Sequence, residues 1–265
     1  MKVYISADIE GISSTTRWED TRAAEKDYPY HARQMTREVL AAIEGATRAG
    51  ATEIVLKDSH GRGNNVDITQ LPTHVKVIRG WEGHPYMMVQ GIDSSFDAVM
   101  FVGYHSAAGV IENPMSHSMT ARTSKVTLNG EPLSEFMLYS WCAANEGVPT
   151  VFLSGDKAIC RQGEELYPWL VTAGVKEGFG ASTLSVAPDK AVEMIRESAY
   201  KALQTDLKAC KIQIPDHFSV RLTYKEHTVA SEMSYFPGAF RVDSHTVGIE
   251  EDHIFELARK LKFMF

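Results

Sequence analysis

Asp8, Glu10, His60, His105 and Glu135 are side chains of the kinds that bind divalent metal, and all lie within the first 135 residues of the chain. Asp8 and Glu10 end the strand-like run VYISADIE, His60 ends EIVLKDSH, and His105 ends AVMFVGYH. Side chains two apart on an extended strand share a face, so Asp8 with Glu10, and Asp58 with His60, would aim at one side of a strand end. In open α/β sheets, ligands collect in the crevice at the carboxyl ends of strands. Two imidazoles with two or three carboxylates, and no thiolate, suit zinc or manganese. Asp8, Glu10 and Glu135 supply three negative charges and neutral imidazoles none, so one divalent ion leaves −1 and two leave +1. Two ions sharing a carboxylate can lower the pKa of bound water towards ~7 and polarise a carbonyl, which is the chemistry of hydrolysis.

Each residue also has an ordinary reading. A carboxylate at a strand end can cap a loop, His60 can be a hydrogen-bonded loop residue, and Glu135, beside Ser134 at a helix start, can favour the helix dipole.

His117, in NPMSHSMT, lies twelve residues beyond His105 in a loop leaving the same sheet edge. An imidazole there can act as general base, stabilise an oxyanion or attack directly, or it can be a surface histidine. Ser116 and Ser118 flank it, but no G-x-S-x-G elbow exists, so a serine triad is not expected. HGRGNN makes neither the dinucleotide fingerprint nor a P-loop and reads as a turn, with Asn64 and Asn65 close enough to His60 to line a pocket. Trp81, His84 and Tyr86 suit an apolar lip, a subunit contact or the core. His227, His245 and His253 have no paired spacing and read as solvated.

The elements that must position these residues alternate strand and helix, which implies an α/β fold with a mostly parallel sheet flanked by helices. KVYISAD, TEIVLKD, HVKVIRG, FDAVMFVGY and VPTVFLSGD read as strands, and AVMFV has the continuous apolar texture of a strand covered on both faces. HARQMTREVLAAIEGATRAG reads as an amphipathic helix stopped by Gly50. Asn129-Gly130 marks a type I′ hairpin, leading to SEFMLYSWCAANEG, a helix capped by Ser134 and ended by Gly147. A helix follows through CRQGEEL. The texture changes from about Val175. The helix APDKAVEMIRESAYKALQ, the runs FSVRLTY and GAFRVDSHTVGIE, and a last helix, EDHIFELARKLKFMF, suggest a smaller C-terminal α+β subdomain. The expected division is 1–180 and 181–265, with a soft boundary or one continuous domain.

At 265 residues the chain can bury a full core. The 27 basic against 34 acidic residues give a net charge of −7, and no basic run occurs; nucleic acid and anionic membrane are not expected as partners. No apolar stretch approaches the roughly 20 residues that span a bilayer. The N-terminus enters a strand with no signal-peptide core, which makes cytoplasm the expected compartment. Cys142, Cys160 and Cys210 are expected to be buried thiols.

Taken in order, ADIEGIS, KDSHGRGNN, MMVQGID, FVGYH, MSHSM and NGEPLSEF resemble the motifs of the zinc-dependent D-aminopeptidase (DppA-like) family. The resemblance covers residues 1–165 well and the tail more loosely. It implies two zinc ions held by Asp8, Glu10, His60, His105 and Glu135, with Asp8 bridging and His117 as nucleophile. It also implies removal of N-terminal residues from short peptides, D-alanine peptides such as D-Ala-D-Ala preferred, and a homo-oligomer of pentamers stacked into a decamer. The segment SSTTRWEDTRAAEKDYPYHAR does not align with the family pattern, so substrate choice carries over less well than hydrolysis. The alternatives are another dinuclear amidase or phosphoesterase, and a non-enzymatic α/β binding module with a structural metal. The opening D-x-E counts against phosphate esters, and five ligands for two ions leave the open positions that a structural site lacks.

Overall fold

The computed structural model describes residues 1–265. Its elements run β1 (Lys2–Ala7), α1 (Tyr28–Arg48), β2 (Glu53–Asp58), β3 (Val75–Ile78), β4 (Ala98–Tyr104), β5 (Thr123–Leu128), β6 (Glu131–Pro132) and α2 (Glu135–Asn145). They continue β7 (Thr150–Asp156), α3 (Lys157–Leu166), β8 (Val171–Phe179), β9 (Ser182–Ser185), α4 (Pro188–Ala202), β10 (Phe218–Tyr224), α5 (His227–Met233), β11 (Ala239–Arg241), β12 (Thr246–Glu251) and α6 (Ile254–Met264).

The expected α/β architecture is present. A 7-stranded sheet has the order β3-β2-β1-β4-β7-β8-β9, parallel except for the final β8–β9 pair. After β1 the chain moves out through β2 and β3, then returns to the other flank of β1 with β4. The order therefore reverses between β1 and β4, and a crevice opens at their carboxyl ends. Ala7, the last residue of β1, pairs with Asp58 on one side and Val102 on the other, so three strand ends meet at one level.

Alternate strand residues serve opposite faces. Val3, Ile5, Met100 and Val102 pack with Val39 and Ile43 of α1 and Ile195 of α4. Tyr4, Val99, Phe101 and Tyr104 face the other way, towards Phe136 and Trp141 of α2 and the smaller sheet. Burial on both faces is the reason β4 lacks a polar alternation.

The smaller, 5-stranded sheet is antiparallel, with the order β11-β12-β10-β5-β6. It combines a hairpin inserted between β4 and β7 with strands from the tail, so its membership spans residue 180. α4, in turn, lies beyond residue 180 but packs on α1 in the main layer. The two helices approach closely at Gly45, where a Cβ would come within 2.4 Å of the Arg196 carbonyl oxygen.

Most local signals are realised. Asn129 and Gly130 both adopt positive φ in the β5–β6 turn. Ser134 caps α2 by accepting from the Met137 N–H at 3.1 Å. All three cysteines are free and buried. α1 starts at Tyr28, earlier than His31, with Pro29 in its first turn. Three elements have no counterpart in the sequence reading: α5, the long strand β8 and the short strand β9 that pairs with it. Gly174, Lys176, Glu177 and Gly178 break the apolar alternation of β8. They are tolerated there because Lys176 is buried against polar partners and Gly178 lies against the Glu112 carbonyl, where a Cβ would come within 2.6 Å. No helix is long and apolar enough to cross a membrane.

Candidate metal centre

The crevice between β1 and β4 collects all five candidate ligands. His105 follows β4 directly, His60 lies two residues beyond β2, and Glu135 is the first residue of α2. β1 stops at Ala7, so Asp8 and Glu10 do not share a face by strand alternation, as the spacing suggested. A turn over Ile9–Ile12, with the Ile12 N–H donating to the Ile9 carbonyl, follows Asp8 directly, and both carboxylates point into the crevice. The backbone is tight here. The Tyr104 carbonyl, one residue before His105, sits where a Cβ on Gly11 or Gly155 would approach within 1.7 or 1.9 Å. Only glycines allow the ends of β1, β4 and β7 to close to this distance.

Asp8 lies at the middle. Its Oδ1 is 3.5 Å from His60 Nδ1 and its Oδ2 is 3.5 Å from His105 Nε2. His60 Nδ1 is also 3.0 Å from Glu10 Oε2, and His105 Nε2 is 3.6 Å from Glu135 Oε1. Glu135 is thus turned into the crevice beside the histidines, whatever it adds to the helix dipole. His117 joins from the loop: its Nε2 is 3.5 Å from Glu135 Oε1 and its ring stacks on His105 with centroids 4.2 Å apart. Two sets have ligand atoms close enough to share an ion: Asp8, Glu10 and His105, and His105, His117 and Glu135.

The imidazoles are oriented by their outer nitrogens. His60 Nε2 donates to the Thr21 carbonyl at 2.9 Å, His105 Nδ1 to Ser106 at 3.0 Å, and His117 Nδ1 to Met115 at 2.9 Å. A carbonyl can only accept, so in each neutral ring the inward nitrogen carries the lone pair. Glu10 Oε2 and His105 Nε2 are buried with no hydrogen-bond partner of proper geometry. Buried lone pairs and carboxylates facing one another need positive charge between them, and the donor set fits divalent ions of the zinc type.

The ionisation of the bare side chains carries the same message. Burial, reinforced by Glu10, pushes the Asp8 carboxyl up to about 8. Burial alone would lower His105, but Glu135 and Asp8 outweigh it and raise the imidazolium to about 10. His60 is likewise driven well above the ordinary range, against burial, by Glu10 and Asp8. Protons on these rings stand where cations would. His117 behaves differently: burial and the neighbouring His105 hold it below the ordinary imidazole range.

Several supporting residues escaped the sequence reading. Lys176, on β8, is fully buried and donates to the Glu10 carbonyl, the Thr15 carbonyl and Thr15 Oγ1, clamping the turn that presents Glu10. Burial lowers its ammonium to about 8. From the other side, Glu38 of α1 accepts from the Ser13 N–H and hydroxyl. Asp156 accepts from the Ser106 N–H and hydroxyl and from Asn113, anchoring the chain next to His105. An Asp at the end of VFLSGD repeats the signal that drew attention to Asp8, so Asp156 was legible in principle. Asp58 does not touch His60; it accepts from Asn65 and the Val66 N–H and shapes the turn bearing His60. If the centre binds divalent metal, replacing Lys176 by Met should weaken that binding about 10–100-fold, as loss of an orienting partner does. It should also lower the melting temperature, since three buried oxygens lose their donor. Zinc titration and thermal melts of the variant check both, and unchanged zinc affinity would remove Lys176 from a positioning role.

A cavity of about 540 Å³ opens over the centre. Its wall includes Trp18, Thr21 and Arg22 from the segment that did not align with the family pattern, together with Trp81. Trp18 meets the His117 ring edge-on at 5.0 Å. His84 and Tyr86, by contrast, pack against Phe255 of α6, away from the centre. Of the two asparagines, Asn65 shapes the turn and neither lines the cavity. His227 and His253 are exposed and His245 half-buried in the distal part of the fold.

Comparison with known proteins agrees with this geometry. The chain is 30% identical over 239 residues to the D-aminopeptidase of Bacillus subtilis (strain 168), covering 90% of this chain and 86% of that protein. It is also similar to a solved structure described as the zinc-dependent D-aminopeptidase DppA from Bacillus subtilis, a self-compartmentalizing protease. That likeness has a TM-score of 0.91 at 28% identity and covers 100% of this chain and 96% of the other. The D-aminopeptidase family pattern matches residues 1–263. The chain belongs to the D-aminopeptidase family of peptidases.

Proposed function

We propose that this chain is a zinc-dependent aminopeptidase that removes the N-terminal residue of short peptides, D-amino-acid peptides such as D-Ala-D-Ala among them, at a centre for two metal ions. The observation that carries the reading is Asp8, whose two oxygens face different histidines at 3.5 Å each. Glu10 and His60 lie on one side of it, His105 and Glu135 on the other. A shared carboxylate with two further ligands per side would hold a pair of ions and leave positions open for substrate. Two divalent ions there would supply polarisation of a scissile carbonyl and a lowered pKa for water.

The remaining work falls to the chain itself. Burial and the neighbouring His105 hold His117 below the ordinary imidazole range, which favours its neutral form. With Nδ1 committed to the Met115 carbonyl, its Nε2 lone pair faces the cavity floor, ready to take a proton or to attack the carbonyl. Trp18 against the ring edge limits its swing. Glu135 is held by the Met119 N–H at 2.6 Å, so the pair keeps its spacing. We extend to this chain, by its resemblance to the family, a homo-oligomer of pentamers stacked as a decamer, and keep the cytoplasm as the proposed compartment.

Metal analysis coupled to a panel of D- and L-dipeptides tests the reading. Two zinc ions per chain are expected, with hydrolysis of D-Ala-D-Ala that a chelator abolishes and added zinc restores. A single tightly held ion whose removal unfolds the chain, with no peptide cleaved, would point to the binding module instead.

A further inference from the structure

One charge beside the centre has no partner within the chain. Arg22 follows Thr21, whose carbonyl accepts from His60 Nε2 at 2.9 Å, so the backbone delivers it to the rim of the same cavity. It is the sole Arg or Lys among the lining residues. Its side chain is exposed and makes no ion pair or hydrogen bond, whereas the nearby Arg17 is taken up by Asp20 and Asp27. The cavity is thus polarised from end to end, with three carboxylates at its floor and one free guanidinium at its mouth. Trp18 and Trp81 also line the cavity, so that an extended ligand entering it would meet aromatic surface.

We infer that Arg22 binds the C-terminal carboxylate of the substrate and selects short peptides that end in a free carboxylate. The inference rests on the peptide-hydrolase reading above and deepens it. A peptide with its scissile carbonyl at the floor presents its next charge towards the mouth, and each added residue lengthens it by at most about 3.3–3.6 Å. The cavity volume, about 540 Å³, falls in the range that encloses small ligands rather than long chains. Within that length, a di- or tripeptide carboxylate comes within reach of a rim guanidinium. The planar fork matches a carboxylate with two parallel N–H···O bonds, which a lysine does not reproduce.

The test compares D-Ala-D-Ala with D-alanyl-D-alaninamide on the zinc-loaded protein, with the L-Ala-L-Ala pair run in parallel. Wild type should cleave the free acid with kcat/KM about 10–100-fold above the amide, the range for a charge-assisted hydrogen bond. Arg22→Ala should erase that ratio by raising KM for the acid, leaving kcat, zinc content and the amide reaction unchanged. Arg22→Lys should restore part of it. Equal rates on acid and amide in wild type, or a parallel loss on both in Arg22→Ala, would overturn the assignment while peptide hydrolysis stands. Failure of the zinc-loaded protein to cleave any of the four would overturn both.

Discussion

Replacing His117 by Ala should lower kcat for D-Ala-D-Ala about 10³-fold while the protein keeps two zinc ions and its melting temperature. The magnitude is that of losing a positioned acid–base group, commonly 10²–10⁴-fold. His117 is the one imidazole of the three whose surroundings keep it neutral, and its side chain is partly open to the cavity. Its Nε2 nevertheless lies only 3.5 Å from Glu135 Oε1, near enough for His117 to ligate an ion beside that carboxylate. Zinc stoichiometry separates the two roles. A variant that binds a single ion would make His117 a ligand, and one with near-wild-type turnover would remove it from the mechanism.

The largest effect on the centre is expected from Asp8→Asn. The change preserves shape, yet it removes the one carboxylate that faces both histidines. An amide offers an oxygen to one side and an N–H₂ group to the other, so it cannot serve two cations. Zinc content should fall from two per chain to one or fewer, and activity by at least about 10³-fold, in line with the loss of metal-assisted hydrolysis. In the metal-free state the same substitution should leave the melting temperature unchanged or raise it. Burial and Glu10 push the Asp8 carboxyl up to about 8 from an ordinary 3.8. A carboxyl whose folded pKa lies above its unfolded value opposes folding, and the opposition grows from the unfolded value upward until it saturates near the folded one. At pH 7.5 most of that penalty is present, and Asn relieves it. Retention of two zinc ions by Asp8→Asn would exclude a bridging role. A lower metal-free melting temperature would show that Asp8 stabilises the fold without metal.

These two predictions share a physical origin. Asp8, Glu10 and Glu135 are buried around His60 and His105, an arrangement of carboxylates that costs stability unless positive charge is supplied. Protons on His60 and His105 supply it in the bare protein, and divalent ions would supply more. The surrounding hydrogen bonds keep the cluster from relaxing apart. Lys176 and Glu38 hold the turn of Glu10, Asp156 holds the chain at His105, and backbone carbonyls hold all three imidazoles.

The candidate metal ligands were legible in the linear sequence, because a parallel sheet delivers its strand ends to one edge and Asp8, His60 and His105 all sit at or just beyond such ends. The α/β class followed from alternating strand and helix patterns, and the caps at Ser134 and Asn129-Gly130 from local backbone preferences that act over a few residues. Tertiary structure decided what depends on contacts between residues far apart in the chain, from 39 positions for Thr21 and His60 to 166 for Glu10 and Lys176. That Lys176 is buried and grips the Glu10 carbonyl, that Thr21 orients His60, and that the smaller sheet joins a mid-chain hairpin to the tail are all set by packing. No local pattern encodes the burial of a charged side chain or the partner it meets. β8 stayed hidden for this reason, since its glycines and Lys176 are tolerated only by the neighbours that the fold brings to it. Residue chemistry, short-range periodicity and the family resemblance together singled out the candidate centre, while long-range packing determined its aim, its charge balance and the free arginine at its mouth.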